Sequence, residues 1–265
     1  MAWRKFRLGT ALSLGGVVAA APLIAACGGG EPSYEDWAAT DGAAGRINLD
    51  DVQEAFKNSE SATEFERRVN EIYEGDGLVL IRAKQDGEVL TLEGWEDLDG
   101  NNTIDDAKDD QLFSIVRGTN GEYDMRGYHA NSYYNSHFGA GDFLFTYLLI
   151  SAMTPRFGGY YYTTPPASGP GMRNQRTTYR NSSAYNSQVQ RNASYNSRQS
   201  SFAGSRYQQS RTNVSSNRSS YQSVQKSSGA FKTSSSVSRS SSVSSGSRSS
   251  GSFGGGGAMR VRRKF

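Results

Sequence analysis

This chain of 265 residues lacks the residue sets on which the common metal and catalytic sites depend. Its single cysteine excludes an internal disulfide and the cysteine clusters of structural zinc sites. Its two histidines, His129 and His137, lie eight residues apart, which matches no familiar metal-binding spacing. No Gly-rich phosphate loop and no Ser-His-Asp arrangement can be identified. We therefore expect a protein that is not an enzyme, with a hydrolase using Asp or Glu pairs as the alternative.

Acidic residues are missing from the C-terminal part of the chain. All 26 lie between Glu31 and Asp142, whereas residues 173–265 carry sixteen Lys and Arg and no acid. Residues 28–172 hold ten basic and 26 acidic residues, a balance of −16. Such an asymmetry is a clue to partners. Either the basic half binds something anionic, or it folds back on its own acidic domain, or each half is kept soluble by its own charge.

Long apolar runs are scarce, and the longest is at the N-terminus. Residues 8–26 carry no charge and follow Arg4, Lys5 and Arg7. A basic region, an apolar region and small residues at the cleavage point make up a secretory signal. The last four residues, Ile24-Ala25-Ala26-Cys27, resemble a bacterial lipobox, in which the cysteine takes a diacylglycerol and becomes the first mature residue. An ordinary signal peptide and an uncleaved anchor are the alternatives.

The lipoprotein resemblance implies a signal peptide over residues 1–26 and a covalent lipid on Cys27. It also implies a location in the bacterial cell envelope, with the lipid as the membrane anchor. Gly28 stands where an Asp often marks retention in the inner membrane, so the resemblance favours the outer membrane. Residues 27–45 are predicted to be the lipidated N-terminus and a linker.

Residues 46–157 have the pattern of a small acidic domain. Asn48 is a predicted N-cap for a helix over 49–57, with acidic residues in its first turn. A capping box starting at Ser61 predicts a second helix to about Tyr73, with an apolar face.

Strand patterns follow, separated by the turn signals Asp86-Gly87 and Asn120-Gly121. The predicted strands cover residues 78–83, 88–95, 112–116 and 122–128. The predicted fold class is therefore α+β: two N-terminal helices and a small four-stranded antiparallel meander, followed by a long disordered tail.

The link between the second and third predicted strands resembles an EF-hand-type calcium loop. The predicted ligands are oxygens at alternating positions: Asp97, Asp99, Asn101, the Thr103 carbonyl, Asp105 and Asp109. Two departures are Asn102 in place of a Gly and Lys108 where a bidentate Glu belongs. The resemblance implies a bound Ca²⁺ that fixes the hairpin. The alternative is a solvated loop in which Asp and Asn form turns.

Two further segments lie at the C-terminal end of the predicted domain. Residues 143–153 form the most apolar run after the signal, but eleven residues cannot span a bilayer. We predict that this run packs in the core, with a location in the membrane interface as the alternative. Residues 158–172 are rich in Gly, Pro and Tyr and are predicted to be a linker.

Residues 173–265 are a low-complexity segment of Ser, Arg, Asn, Gln, Tyr and Gly with few aliphatic residues. Such a composition buries little apolar surface, so disorder is predicted. Arginines with interleaved aromatics suit anionic partners, which in a cell envelope are anionic lipids, lipopolysaccharide and other polymers. Nucleic acid, which the same pattern suits, is not expected for an exported protein.

The leading hypothesis is a membrane-anchored, non-enzymatic cell-envelope lipoprotein. Its acidic domain would be a scaffold or binding module, and its basic tail would tether it to anionic envelope components. A calcium-dependent binding or assembly domain with an incidental tail is the second hypothesis. A nucleic-acid-binding tail is the third, and it applies if the export signal is misread.

Overall fold

The computed structural model describes residues 33–139, 154–156, 159–229 and 231. Cys27, the apolar run 143–153 and the end of the basic segment, residues 232–265, lie outside the described residues. The predictions made for them stay predictions. Among the described residues, no helix is both long enough and apolar enough to cross a membrane.

Three helices precede the sheet: α1 (Tyr34–Ala38), α2 (Leu49–Asn58) and α3 (Ala62–Ile72). The α2 and α3 helices lie where the caps and the apolar spacing predicted them. Asn48 and Ser61 each accept a hydrogen bond from a backbone amide in the first turn, which satisfies a donor that has no partner within the helix.

One antiparallel sheet contains every strand in the described ranges, in the order β5-β4-β3-β2-β1-β7-β6. The strands are β1 (Leu78–Asp86), β2 (Val89–Asp97), β3 (Asp110–Arg117), β4 (Tyr123–Gly127), β5 (Asn135–Phe138), β6 (Thr154–Arg156) and β7 (Gly159–Thr163). In the β1–β2 hairpin, Gly87 has a φ of 58°, the left-handed conformation that the turn requires.

The predicted four-stranded meander is wrong because three more strands extend it at both ends. β5 pairs with β4, and β7 pairs with the opposite edge of the meander, at residues 82–85 of β1. A free sheet edge has unpaired amides and carbonyls that favour a further strand. The segment 159–163 reads Gly-Tyr-Tyr-Tyr-Thr and has a high strand propensity. It lies within the predicted linker 158–172, where no strand was expected.

Four helices follow the sheet: α4 (Gly169–Arg180), α5 (Ser183–Ala203), α6 (Ser205–Ser210) and α7 (Ser216–Ser227). We call residues 169–227 the helical layer. The prediction of a long disordered tail from residue 173 is therefore wrong for the described part of that segment. Aliphatic residues are scarce in this segment, but tyrosines supply apolar surface in their place, and Tyr185, Tyr195 and Tyr207 are buried.

The main core lies between α2, α3 and the sheet, and the helical layer contributes to it. Tyr195, Ala203 and Tyr207 belong to the same buried cluster as the residues of α2, α3 and the central strands. Strand β1 is buried on both faces, since successive side chains point in opposite directions. On its second face, Leu78 and Leu80 pack against Met172 of α4.

Candidate metal centre and its arginines

The predicted calcium loop connects the end of β2 to the start of β3. It turns sharply at Gly100 and Asn102, whose φ angles are 73° and 62°. Asn102 is the residue that replaces the expected glycine. Asn tolerates this left-handed conformation better than most residues, so the substitution keeps the turn.

Three of the six predicted ligands converge in this loop. Carboxylate oxygens of Asp97, Asp99 and Asp109 lie within 4.8 Å of one another. Asp97 and Asp109 are buried, and Asp99 is exposed. Crowded carboxylates repel one another, so the loop needs a compensating positive charge or proton.

Backbone amides take up part of this negative charge. The two Asp97 oxygens accept hydrogen bonds from the amides of Asn101 and Asn102, each at 3.0 Å. Asp109 accepts from the amides of Leu98 at 3.0 Å and Asp105 at 2.8 Å. Burial raises the pKa of Asp109 to about 6 despite these bonds. Asp97 and Asp109 thus hold the loop in its conformation through hydrogen bonds to its backbone.

The other three predicted ligands, Asn101, Thr103 and Asp105, take part in contacts within the loop. The Asn101 side-chain oxygen accepts a 2.6 Å hydrogen bond from the amide of Thr103. Asp105 accepts from the amide of Ala107 and lies 3.4 Å from the ammonium of Lys108. These residues form turns, as the alternative interpretation of the loop predicted.

Arg173 of α4 inserts a cation into the loop. Its Nη2 donates to Asp97 Oδ2 at 3.1 Å, to Asn102 Oδ1 at 2.8 Å and to the carbonyl of Gly100 at 3.2 Å. The set around this nitrogen, with a carboxylate, an amide oxygen and a backbone carbonyl, has the chemistry of calcium ligands. Burial raises the pKa of Asp97, and the charge of Arg173 opposes that rise.

A second arginine lies beside the loop, where β2 and β3 present like charges to each other. Glu96 and Asp110 are directly paired across the two strands, an arrangement that is unfavourable without a cation. Arg218 of α7 donates to Glu96 Oε2 and, at 2.7 Å, to Asp110 Oδ2. All three side chains are at most 2% exposed. The hydroxyl of Tyr73 donates to Glu96 at 2.5 Å, and burial raises the pKa of this tyrosine.

Two more arginines, both on α4, bond to backbone carbonyls at the C-cap of α3 and in the turn that follows it. Arg176 donates to the carbonyl of Gly75, and Arg180 donates to the carbonyls of Tyr73 at 3.2 Å and Gly75 at 2.7 Å. Burial, together with neighbouring Arg180, lowers the pKa of Arg176 to about 9. Cations at this end also complement the helix dipole.

A cleft of about 380 Å³ lies between α2, α3, α4 and α5. Arg191 and Asp51 both line the cleft and lie 3.1 Å apart, and Glu71 of its wall accepts from Arg67 beside the cleft. The cleft wall therefore carries charges of both signs, and it offers no single-sign field that would select a ligand.

Sequence reasoning missed Arg173 and Arg218 as functional partners of the acidic strands. The only signal was the opposite charge of the two halves, for which folding back was one of the three interpretations. In the described part of the chain, the basic half does fold back, because six of its arginines bond to the acidic half: Arg173, Arg176, Arg180, Arg191, Arg198 and Arg218. Comparison with known protein families, characterised proteins and solved structures found no match for this chain.

Proposed function

We propose that this protein is a lipid-anchored, non-enzymatic protein of the bacterial cell envelope, whose folded domain acts as a scaffold or binding module. The observation that carries the proposal is the N-terminal layout of basic residues, an uncharged run over 8–26 and Ala25-Ala26-Cys27. Outer-membrane location follows from Gly28, by the same resemblance.

The contacts near the N-terminus are compatible with a short anchor. The first described helix, α1, begins at Tyr34 and is capped by Ser33, whose hydroxyl accepts from the amide of Asp36 at 3.1 Å. Only five residues separate Cys27 from Ser33. A chain of that length spans at most about 20 Å, so a lipid on Cys27 would hold the domain close to the membrane.

The charged residues of the domain support a structural role for them. Glu96 and Asp110 are committed to Arg218, and Asp97 to Arg173. A general acid or base needs access to a substrate proton, which paired and buried carboxylates do not offer. This commitment favours a scaffold over a hydrolase based on Asp or Glu pairs.

The test is the intact mass of the protein purified from a bacterial membrane fraction, with Cys27→Ser as the matched variant. We expect a mass that begins at Cys27 and includes a diacylglycerol, and no lipid on the variant. A mass without lipid, or cleavage at another position, would remove the anchor and with it the proposed location.

A calcium-dependent binding or assembly role is the second candidate, favoured by the convergence of Asp97, Asp99 and Asp109 within 4.8 Å. The donor oxygens suit Ca²⁺. Arg173 already occupies one Asp97 oxygen and the side-chain oxygen of Asn102, so an ion and this guanidinium would compete.

Calorimetry with Ca²⁺ on the full chain tests this candidate, with Asp97→Ala as the control and Arg173→Gln as the sensitising variant. Calcium binding predicts heat for the wild type, more for Arg173→Gln and none for Asp97→Ala. If Arg173 serves as the resident cation instead, only Arg173→Gln gives heat. No heat from either would leave the loop without a metal role.

A further inference from the structure

Four helices surround the cleft between α2, α3, α4 and α5, and they contribute different kinds of side chain. Helix α2 supplies the carboxylates of Asp51 and Glu54, and α3 supplies the guanidinium of Arg68 and the apolar side chain of Ile72. The ring of Tyr179 on α4 completes this part of the wall. The volume of about 380 Å³ lies at the lower end of the usual range for ligand clefts, about 300–1,000 Å³. The cleft therefore has room for a small molecule.

Two arginines line the cleft, and they differ in their partners. Arg191 is bonded to Asp51, with 3.1 Å between nitrogen and oxygen. Arg68 is exposed, and within the described ranges of the chain it makes no hydrogen bond or ion pair. A guanidinium whose N–H groups are free recognises a carboxylate through two parallel hydrogen bonds. Arg68 is therefore able to bind the carboxylate of a ligand.

Glu54 is the most exposed of the three carboxylates that line the cleft. Its side chain is 60% exposed, against 25% for Asp51 and 18% for Glu71. The Glu54 carboxylate lies 2.9 Å from the ammonium of Lys57, three residues further along α2. Water and salt screen such an exposed pair, so it contributes little and is easily exchanged for another. Glu54 is therefore able to accept hydrogen bonds from a ligand ammonium group.

Tyr179 lies close to charges of both signs in this cleft. Burial and the charge of Glu71 raise the pKa of its hydroxyl, whereas the charges of Arg191 and Arg68 oppose that rise. Arg68 and Glu71 are three residues apart on α3, a spacing that places both on one face of the helix. Interactions between charges weaken with distance. A ligand beside the Tyr179 ring therefore meets a cation and a carboxylate at the same time.

We propose that this cleft binds a free α-amino acid with an apolar side chain. The carboxylate of the ligand bonds to Arg68 and its ammonium group bonds to Glu54. Its side chain packs against Ile72 and the ring of Tyr179. A cleft with charges of both signs favours a ligand that carries both, because a simple anion or cation also meets a like charge there. The inference goes beyond the proposed function by naming a ligand class, and it does not depend on the lipid anchor.

Equilibrium dialysis of the full chain against three matched probes tests the ligand class. L-Leucine carries both charged groups, 4-methylpentanoate is the same molecule without the ammonium group, and 3-methylbutylamine is the same molecule without the carboxylate. We expect saturable binding of leucine and at least about tenfold weaker binding of each of the other two, the effect of one lost hydrogen bond between charged groups. No saturable binding of leucine, or equal binding of leucine and either of the other probes, would overturn the inference.

Two variants that each remove one charge assign the groups. Arg68→Gln should weaken the binding of leucine and 4-methylpentanoate about tenfold and should not weaken that of 3-methylbutylamine. Glu54→Gln should weaken the binding of leucine and 3-methylbutylamine and should not weaken that of 4-methylpentanoate. Arg211→Gln changes an exposed arginine of the helical layer and should bind all three probes like the wild type. If either cleft variant weakens all three probes alike, the assignment is wrong.

Stability and mass measurements on the same samples separate the remaining outcomes. Arg68 and Glu54 are both exposed, so the urea midpoints of their variants should match that of the wild type. Cys27→Ser should bind leucine as the wild type does. A lipid on Cys27 without leucine binding marks failure of this inference alone. Leucine binding without a lipid marks failure of the proposed location alone.

Discussion

The described part of residues 33–163, which we call the sheet half, and the helical layer of this protein are ordered by different interactions. Core positions of the sheet half are aliphatic or aromatic, and Val52, Leu92 and Ile115 are completely buried. The helical layer buries about as many polar residues as apolar ones, and the polar ones are Arg176, Gln188, Asn192, Ser210, Ser215 and Arg218. Both halves are folded, although only the first has the composition of a globular domain.

The difference shows that a low-complexity segment can fold on a surface it does not supply. Asn192 illustrates the principle: its amide donates to the carbonyl of Ile72 at 2.9 Å and its oxygen accepts from Asn48 at 3.2 Å. Composition rules assume that a segment must bury its own apolar surface. The helical layer instead uses the carbonyls, carboxylates and core of its neighbour.

Removal of Arg218 should lower the free energy of unfolding by the largest amount. Arg218→Ala leaves Glu96 and Asp110 buried and paired with each other across two strands. We expect a loss of about 3–5 kcal/mol in the free energy of unfolding, as for other buried pairs that lose one partner. Urea unfolding measures it, with Arg211→Ala in the same layer as the exposed control. A loss below about 1 kcal/mol would mean that α7 is not needed by the sheet half.

Tyr195→Phe tests whether the layer and the sheet half share one core. The change removes a hydroxyl that accepts from Tyr133 at 3.2 Å and keeps the ring. We expect a loss of about 1 kcal/mol, the usual net value of one hydrogen bond. Hydrogen exchange should show the loss in both α5 and β2. Faster exchange in α5 alone would indicate that the two halves unfold separately. Tyr179 is more exposed than Tyr195, so Tyr179→Phe serves as the control.

Glu66 predicts a pH dependence at the contact between α3 and β7. Burial raises the pKa of this carboxyl, and hydrogen bonds from Tyr162 and Thr164 oppose the rise. The folded state then holds a proton that the unfolded state has released, so stability falls as pH rises from the unfolded pKa to the folded one. Glu66→Gln keeps the acceptor oxygen and removes the charge.

We therefore expect Glu66→Gln to have a flatter profile of unfolding free energy against pH and a higher stability than the wild type at neutral pH. The exposed Glu60→Gln is the matched change on the surface. Thermal unfolding over a series of pH values measures both variants. An unchanged slope in Glu66→Gln would show that another group causes the dependence.

Arg198→Ala should have the smallest effect, although it also removes an arginine–aspartate pair between the layer and α2. Arg198 lies 3.3 Å from Asp50, but the two side chains are 62% and 44% exposed. Exposed pairs contribute about 0–1 kcal/mol because water and salt screen them. Urea midpoints compare it with Arg218→Ala. Equal losses would mean that net charge, rather than burial of single pairs, holds the layer in place.

Part of the fold was predictable because its signals are local. The caps at Asn48 and Ser61, the apolar spacing of α2 and α3 and the turn at Asp86-Gly87 each depend on a few consecutive residues. The left-handed conformation of Asn102 in the acidic loop is also a local property, because Asn tolerates this conformation. Of the candidate site, alternation along that loop relates Asp97 to Asp99, whereas Asp109 joins them because the loop folds back on the end of β2.

The sequence by itself determined the two halves of opposite charge, the helices and hairpins with local signals, and the acidic loop. Tertiary structure alone decided that β7 completes the edge of β1, that residues 169–227 are helical, and that Arg173 and Arg218 enter the acidic strands. The reason is physical. Local signals act over a few residues, whereas Asp97 and Arg173 are 76 residues apart in the chain and have no preference for each other until the sheet has brought the carboxylates together.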